Sequence, residues 1–138
     1  MKVTAQWTKN MTFIGTPDSG FAVQMDADAN FGGTNNGVRP MEMVALGLAG
    51  CMGMDVVHIL RKGRLDLRGL KISLTAERAQ EDPHRITAVA IDFTVTGDIP
   101  KDQIQRAIDL SHEKYCSVWH SMRQDIPFAA TFSVGSGA

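Results

Sequence analysis

Polar and apolar positions alternate along both ends of the chain, with a long unbroken apolar segment between them. Val3, Ala5 and Trp7 share one side of a predicted strand, and Lys2, Thr4, Gln6 and Thr8 share the other. Phe13 and Ile14 lead into Gly15-Thr-Pro-Asp-Ser-Gly20, a dense turn signal, after which Phe21, Val23 and Met25 alternate again. From Phe31 to Gly37 three glycines and small polar residues carry no period and predict an irregular loop. Pro40 then opens a helix, because its missing N–H would be unpaired in a first turn anyway. Arg61 and Lys62 suit the negative end of the helix dipole, and Gly63 predicts the stop. At ~1.5 Å per residue such a helix is about 35 Å long.

The second half repeats the alternation. Leu70, Ile72, Leu74 and Ala76 form the apolar side of one strand, Glu81-Asp-Pro-His84 turns the chain, and Thr87, Val89, Ile91, Phe93 and Val95 line the next as far as Gly97. Asp98-Ile-Pro100 opens a further helix with Ile104, Ala107, Ile108 and Tyr115 at helical spacing. Cys116 falls at its end or at the start of another. Phe128, Ala130, Phe132 and Val134 predict a closing strand. The order predicts one α+β domain over residues 1–138. From Met43 to Met54 the first helix is apolar or glycine on every face, more than one small sheet covers. A second protomer is therefore expected to share its burial, in an obligate interface of more than about 2,000 Å².

Composition narrows the function classes. Hydrophobic residues at 43% and charged residues at 21% are those of a soluble globular protein, and a net charge of −1 argues against nucleic-acid or polybasic membrane binding. The first ten residues lack the apolar core of a signal peptide, and no uninterrupted apolar run reaches the ~18 residues of a membrane span. Two cysteines are too few for a disulfide-stapled secreted domain. The expectation is a cytoplasmic protein whose thiols are reduced at rest.

Those two cysteines, Cys51 and Cys116, are the candidate chemistry. Taken alone, each reads equally as a small buried apolar side chain or as a reactive thiol. Gly47, Gly50 and Gly53 each cost a helix interior up to ~1 kcal/mol, which makes sense where another helix or a substrate approaches the backbone. His112 and Lys114 would favour a thiolate at Cys116 if they faced it. Asp55 and His58 share the Cys51 side of the helix. His58, however, lies two turns or ~11 Å away, too far to act as a base for Cys51. Glu42, nine residues before Cys51, projects from the opposite side. Cys116 and His120, at i and i+4, could join Cys51 and another histidine around zinc, although no tight Cys-x-x-Cys pair is present. The Gly/Asn loop lacks a following Gly-Lys-Ser/Thr and is no phosphate cradle. The eight methionines read as core filler.

Three segments together carry a resemblance: Pro40-Met-Glu-Met to Gly50-Cys51, Asp55-Val-Val-His-Ile-Leu60, and Lys114-Tyr-Cys116-Ser-Val. Over nearly its whole length the chain resembles the OsmC/Ohr family of thiol-dependent hydroperoxide reductases, closest in wording to the YhfA-like branch. The resemblance implies an OsmC-like fold, antiparallel sheets around two long central helices, in an intertwined homodimer with its sites at the subunit interface. It implies that Cys51 is the peroxidatic thiol, that Cys116 resolves it through a Cys51–Cys116 disulfide, and that an external thiol or dithiol restores both. The substrate would be a small apolar hydroperoxide, with no metal, flavin or haem required. Two departures stand out. The family glutamate commonly follows the helix-opening proline directly, where this chain has Met41, so Glu42 is expected to take that role. The arginine of the N-terminal strand pair has no counterpart, Lys9 being the cation near it and Arg39 the candidate substitute. The departures keep open a non-catalytic dimeric member of the same fold that binds a ligand or zinc. A direct disulfide further requires Cα atoms about 4.4–6.8 Å apart, so the Cys116 segment should pack on the middle of the Cys51 helix. Met52, Met54, Trp119 and Met122 are the expected walls around a nearly covered Cys51.

Overall fold

A computed structural model describes residues 1–135, which form two compact units, one ending at Val44 and the other beginning at Ala45. The first unit is built on an antiparallel meander of β1 (Val3–Lys9), β2 (Thr12–Pro17) and β3 (Val23–Met25). Trp7 pairs with Phe13 and Ala5 with Gly15, so Gly15–Pro17 extend the strand rather than turn it. Ladder pairing on both sides of Gly15 overrides the local turn signal, and the chain reverses only at Asp18–Gly20, where Gly20 takes a φ of 88°. The Gly/Asn loop is irregular as expected, with one 3-10 turn at Ala29–Phe31. Asp26, 2% exposed, organises it. Its carboxylate accepts the hydroxyls of Thr34 (2.7 Å) and Thr12 (3.2 Å) and the amides of Ala27 (2.7 Å) and Asn36 (3.1 Å). Led by the Thr34 hydroxyl, these bonds outweigh burial and hold its pKa down to about 2.

Helix α1 (Pro40–Lys62) has the boundaries its sequence predicts. At its start the Arg39 amide donates to Glu42 Oε1 at 2.8 Å, the reach-back half of a capping box. At its end the left-handed residue is Arg64 (φ 58°) rather than Gly63. Bonds from Leu65 N–H to the Leu60 carbonyl and from Arg64 N–H to that of Arg61 complete a Schellman cap.

The second unit carries a sheet of β4 (Asp66–Arg78), β5 (Ile86–Asp98) and β6 (Phe128–Gly135) in that order. β4 and β5 form an antiparallel hairpin, whereas β6 runs parallel to β5, placing Phe93 opposite Phe132. The sheet is thus mixed rather than wholly antiparallel. A parallel neighbour needs a long crossover, supplied here by α2 (Lys101–Leu110), a π turn (Ser111–Tyr115) and α3 (Ser117–His120). Val89, Ile91, Phe93 and Val95 line the buried face of β5. Leu48, Met52, Val56 and Leu60, four apart on α1, and Ile104, Ala107 and Ile108 on α2 complete this core. Each such aliphatic side chain contributes roughly 1.5–3 kcal/mol by leaving water. Gly53 permits the closest helix–sheet approach, since a Cβ there would stand 2.7 Å from Ile72 Cδ1.

Among the described residues, that stripe and Gly53 are the buried positions of α1. Leu46 is 65% and Met54 75% exposed. By length and mean hydropathy (1.8 over 18 residues) α1 would suffice to cross a membrane, although Asp55 and Glu42 interrupt its apolar run, and 28% of that window is buried.

Candidate thiol site

Two elements bring the cysteines together. Cys51 sits mid-way along α1, half-buried beside the covered stripe. Cys116 is placed by a helix that loses its register. After Leu110 the backbone widens to i→i+5 bonding, closed by the Cys116 amide on the Ser111 carbonyl at 2.8 Å. Cys116 itself is extended (φ −73°, ψ 103°) and becomes the N-cap of α3, its Sγ accepting the Trp119 amide at 3.4 Å. A second tie lies beside it: the fully buried Ser111 donates its hydroxyl to Asp55 Oδ2 at 2.8 Å, one helical turn from Cys51.

Both thiols are free, and Cys116 is fully buried and close enough to Cys51 for the two to interact. Burial pushes the Cys116 thiol up to about 11, the amides of Trp119 and Val118 pull it the other way, and its bond to Cys51 raises it further. A thiol raised in this way favours its protonated form at neutral pH. The expected packing of the Cys116 segment on the middle of α1 is therefore met. His112 and Lys114, which would favour a thiolate if they faced Cys116, are not among the groups that act on it. His112 has its own pKa lowered by burial, its ring stacking on Phe128 at 4.0 Å and leaning on Trp119 at 5.2 Å. Lys114 Nζ lies 5.2 Å over the Tyr115 ring.

Comparison with known proteins places this geometry. The sequence model of the OsmC-like protein family matches residues 33–131. The chain belongs to the OsmC-like family. Protein YhfA of Escherichia coli K12 is 36% identical over 135 residues, covering 97% of this chain and 98% of the relative. A hypothetical protein from Aquifex aeolicus VF5 superposes with a TM-score of 0.86 at 26% identity, covering 97% and 95% of the two chains. An organic hydroperoxide resistance protein from Elizabethkingia anophelis, solved with thiocyanate, shares the fold at a TM-score of 0.71 and 16% identity, covering 96% and 94%.

The remaining family-like positions divide by unit. In the first, Glu42 is exposed with one oxygen on the Arg39 amide, and the Arg39 guanidinium turns back to the Gly37 carbonyl (3.0 Å) and the Asn35 side chain. In the second, Met52 is buried in the core, Trp119 is 4% exposed, and Met54 is 75% exposed on the uncovered side of α1. His58 is exposed, and His120 Nε2 is engaged by the His112 carbonyl at 3.0 Å. Among the described residues no three His, Cys, Asp or Glu side chains converge as a metal site, so Cys51, Cys116 and His120 do not form the zinc set considered above. Tyr115, expected at a covered helical position, is 49% exposed. The widened turn before it shifts the side chain out of the 3.6-residue register.

Beside Cys51, the uncovered side of α1 and β4 forms an open apolar groove of about 1080 Å³. Leu46, Gly50, Met54, Val57, Leu70 and Ile72 line it. A Cβ at Gly47 or Gly50 would meet nothing within 4 Å, so these glycines leave the helix backbone bare along this side.

Sequence reading missed Ser111 and Asp26. Ser111 stands at an apolar-neighboured helix position where a hydroxyl needs a buried partner, and Asp26 directly follows a strand and precedes a Gly/Asn loop. Both are signals for a local hydrogen-bond hub.

Proposed function

We propose that the protein is a cytoplasmic, homodimeric thiol peroxidase that reduces organic hydroperoxides in defence against oxidative stress. One observation carries the proposal: two free cysteines, 65 residues apart in sequence, are close enough to interact, one half-exposed and the other buried with its thiol pKa raised. The Cys51 thiolate attacks the O–O bond. A sulfur–oxygen bond forms, the alkoxide leaves and takes a proton to become an alcohol, and Cys51 is left as a sulfenic acid. The Cys116 thiol then condenses with it, giving a disulfide and one water. An external dithiol returns two electrons and two protons, restoring both thiols and becoming a disulfide itself.

Membership of the OsmC-like family supports a peroxide-related role, and the name of the Elizabethkingia relative supports the substrate class. Glu42 enters on resemblance alone. The apolar groove supports dimerisation, since an uncovered helix bearing Leu46 and Met54 costs stability in water until a second copy covers it. The same groove favours the second reading, a dimeric non-catalytic member retaining an apolar ligand.

The deciding experiment measures consumption of cumene hydroperoxide by the reduced protein with a dithiol. Turnover that stops in Cys51→Ser supports the peroxidase, and activity surviving that substitution excludes it. Sedimentation of a folded monomer at micromolar concentration would exclude the dimer.

A further inference from the structure

Further along α1, the helix and α2 border a second cavity of about 580 Å³ that the proposed peroxide chemistry does not use. Its character differs from that of the apolar groove. Lys62, which also borders the apolar groove, and Arg106 reach it from the two helices, while Ile59 and Leu110 supply apolar wall and Tyr115 a phenol ring. Neither cation has an ion-pair or hydrogen-bond partner among the described residues. The carboxylates nearest Arg106 in sequence are turned elsewhere, Asp109 to Gln105 at 2.9 Å and Asp102 to Gln103 at 3.5 Å. Asp55, the one carboxylate in the lining, is already committed to the Ser111 hydroxyl.

Two permanent cations against one carboxylate leave the pocket with a single net positive charge. That balance suits a monoanion better than a phosphate dianion. A guanidinium also matches a carboxylate with two parallel N–H bonds, and the leucine, isoleucine and tyrosine surfaces suit an aliphatic body. We propose that this pocket binds the carboxylate of a small amphipathic acid. Lys62 lies ~16 Å from Cys51 along the helix axis, so the acid sits beside the thiol pair and not on it. Its wall includes Asp55, whose carboxylate accepts the buried Ser111 hydroxyl behind it, and the Ser111 carbonyl holds the Cys116 amide, so occupancy bears on the backbone that aims Cys116.

The proposal does not rest on the peroxidase reading, and calorimetric titration tests it separately. Octanoate, 1-octanol and inorganic phosphate are titrated into wild-type protein, Cys51→Ser, Lys62→Gln, Arg106→Gln and Arg106→Lys. Lys62 and Arg106 are exposed, so these variants should fold, as thermal melts will verify. Octanoate should bind saturably, one per chain, in wild type and equally in Cys51→Ser. Binding should weaken at least about 10-fold in Arg106→Gln and Lys62→Gln and less in Arg106→Lys, a tenfold change being one decade in Kd. Octanol and phosphate should bind at least about 10-fold more weakly than octanoate. Absence of saturable octanoate binding, equal binding of octanol or phosphate, or an affinity indifferent to Arg106→Gln would each overturn the assignment.

Discussion

The two cysteines stand on helices that treat their backbones in opposite ways. α1 is regular over 23 residues, capped at both ends, and presents Cys51 as one side chain in a continuous surface. The segment carrying Cys116 is regular only to Leu110, then widens, extends at the cysteine and restarts as a four-residue helix. A regular helix offers a residue to whatever covers that side. An interrupted one aims a residue at a fixed target, here the middle of α1. The chemistry follows this contrast: Cys51 is half-exposed, while Cys116 is buried, accepts an amide hydrogen bond and stays protonated.

The largest expected effect breaks the pair. Cys51→Ser should reduce hydroperoxide consumption to the uncatalysed background. Cys116→Ser should consume one equivalent and stall, with a sulfenic acid at Cys51 that dimedone traps for mass spectrometry. Sustained wild-type turnover by Cys116→Ser under dithiol would erase the distinction between the two sites.

Next in size is the difference in thiol reactivity. A thiol with a pKa of about 11 is protonated below that pH, and at pH 8 about one molecule in a thousand is thiolate. Iodoacetamide at pH 8 should therefore label Cys51 first. Labelling of Cys116 in Cys51→Ser should rise about tenfold per pH unit until the pH nears its pKa, which lies lower in this variant because the raising effect of Cys51 is gone. Equal labelling of both sites at pH 8, followed by peptide mass spectrometry, would contradict the burial assigned to Cys116.

How legible each region was in the sequence follows the same divide. Pro40, the basic pair Arg61-Lys62 and the apolar run between them mark α1 to the residue, because each reports on a local backbone requirement. Cys116 could be read only as the end of one helix or the start of the next. A π turn inserts a single residue into the period, and nothing in Ser111-His-Glu-Lys-Tyr115 announces it. Tyr115 was assigned to the covered side for that reason. The direction of β6 was equally hidden, since alternation predicts a strand and its inward face but not which way it runs beside β5. The meeting of the cysteines came from resemblance, not from any pattern in the residues around them. Which side of α1 remains bare was legible only as an excess: apolar residues all round a helix that one sheet covers on one side.

Ser111 tests whether the interrupted region is aimed by its side-chain tie. Ser111→Ala leaves Asp55 without its buried donor and should cost about 1–3 kcal/mol in urea unfolding. It should also slow Cys51–Cys116 disulfide formation, because the Cys116 amide hangs from the same residue. Asp55→Asn keeps an acceptor and should lose less on both counts. A Ser111→Ala variant that is destabilised yet closes the disulfide at the wild-type rate would make the bond structural only.

The smallest effect concerns Glu42, where stability and chemistry separate. Its carboxylate accepts the Arg39 amide in the first turn of α1, a task glutamine also performs. Glu42→Gln should therefore keep the cap and lose only the charge–dipole contribution, about 0.3–1 kcal/mol, which a thermal melt resolves. Glu42→Ala loses the cap as well and should melt lower. If Glu42 serves the thiol chemistry as proposed, the glutamine variant should also lose kcat/KM by about tenfold or more, because glutamine cannot hold the charge that orients the reacting proton. That split, near-native stability with reduced turnover, is the outcome a purely capping residue could not produce. Full activity in Glu42→Gln would return Glu42 to the end of the helix and leave the chemistry to the cysteines.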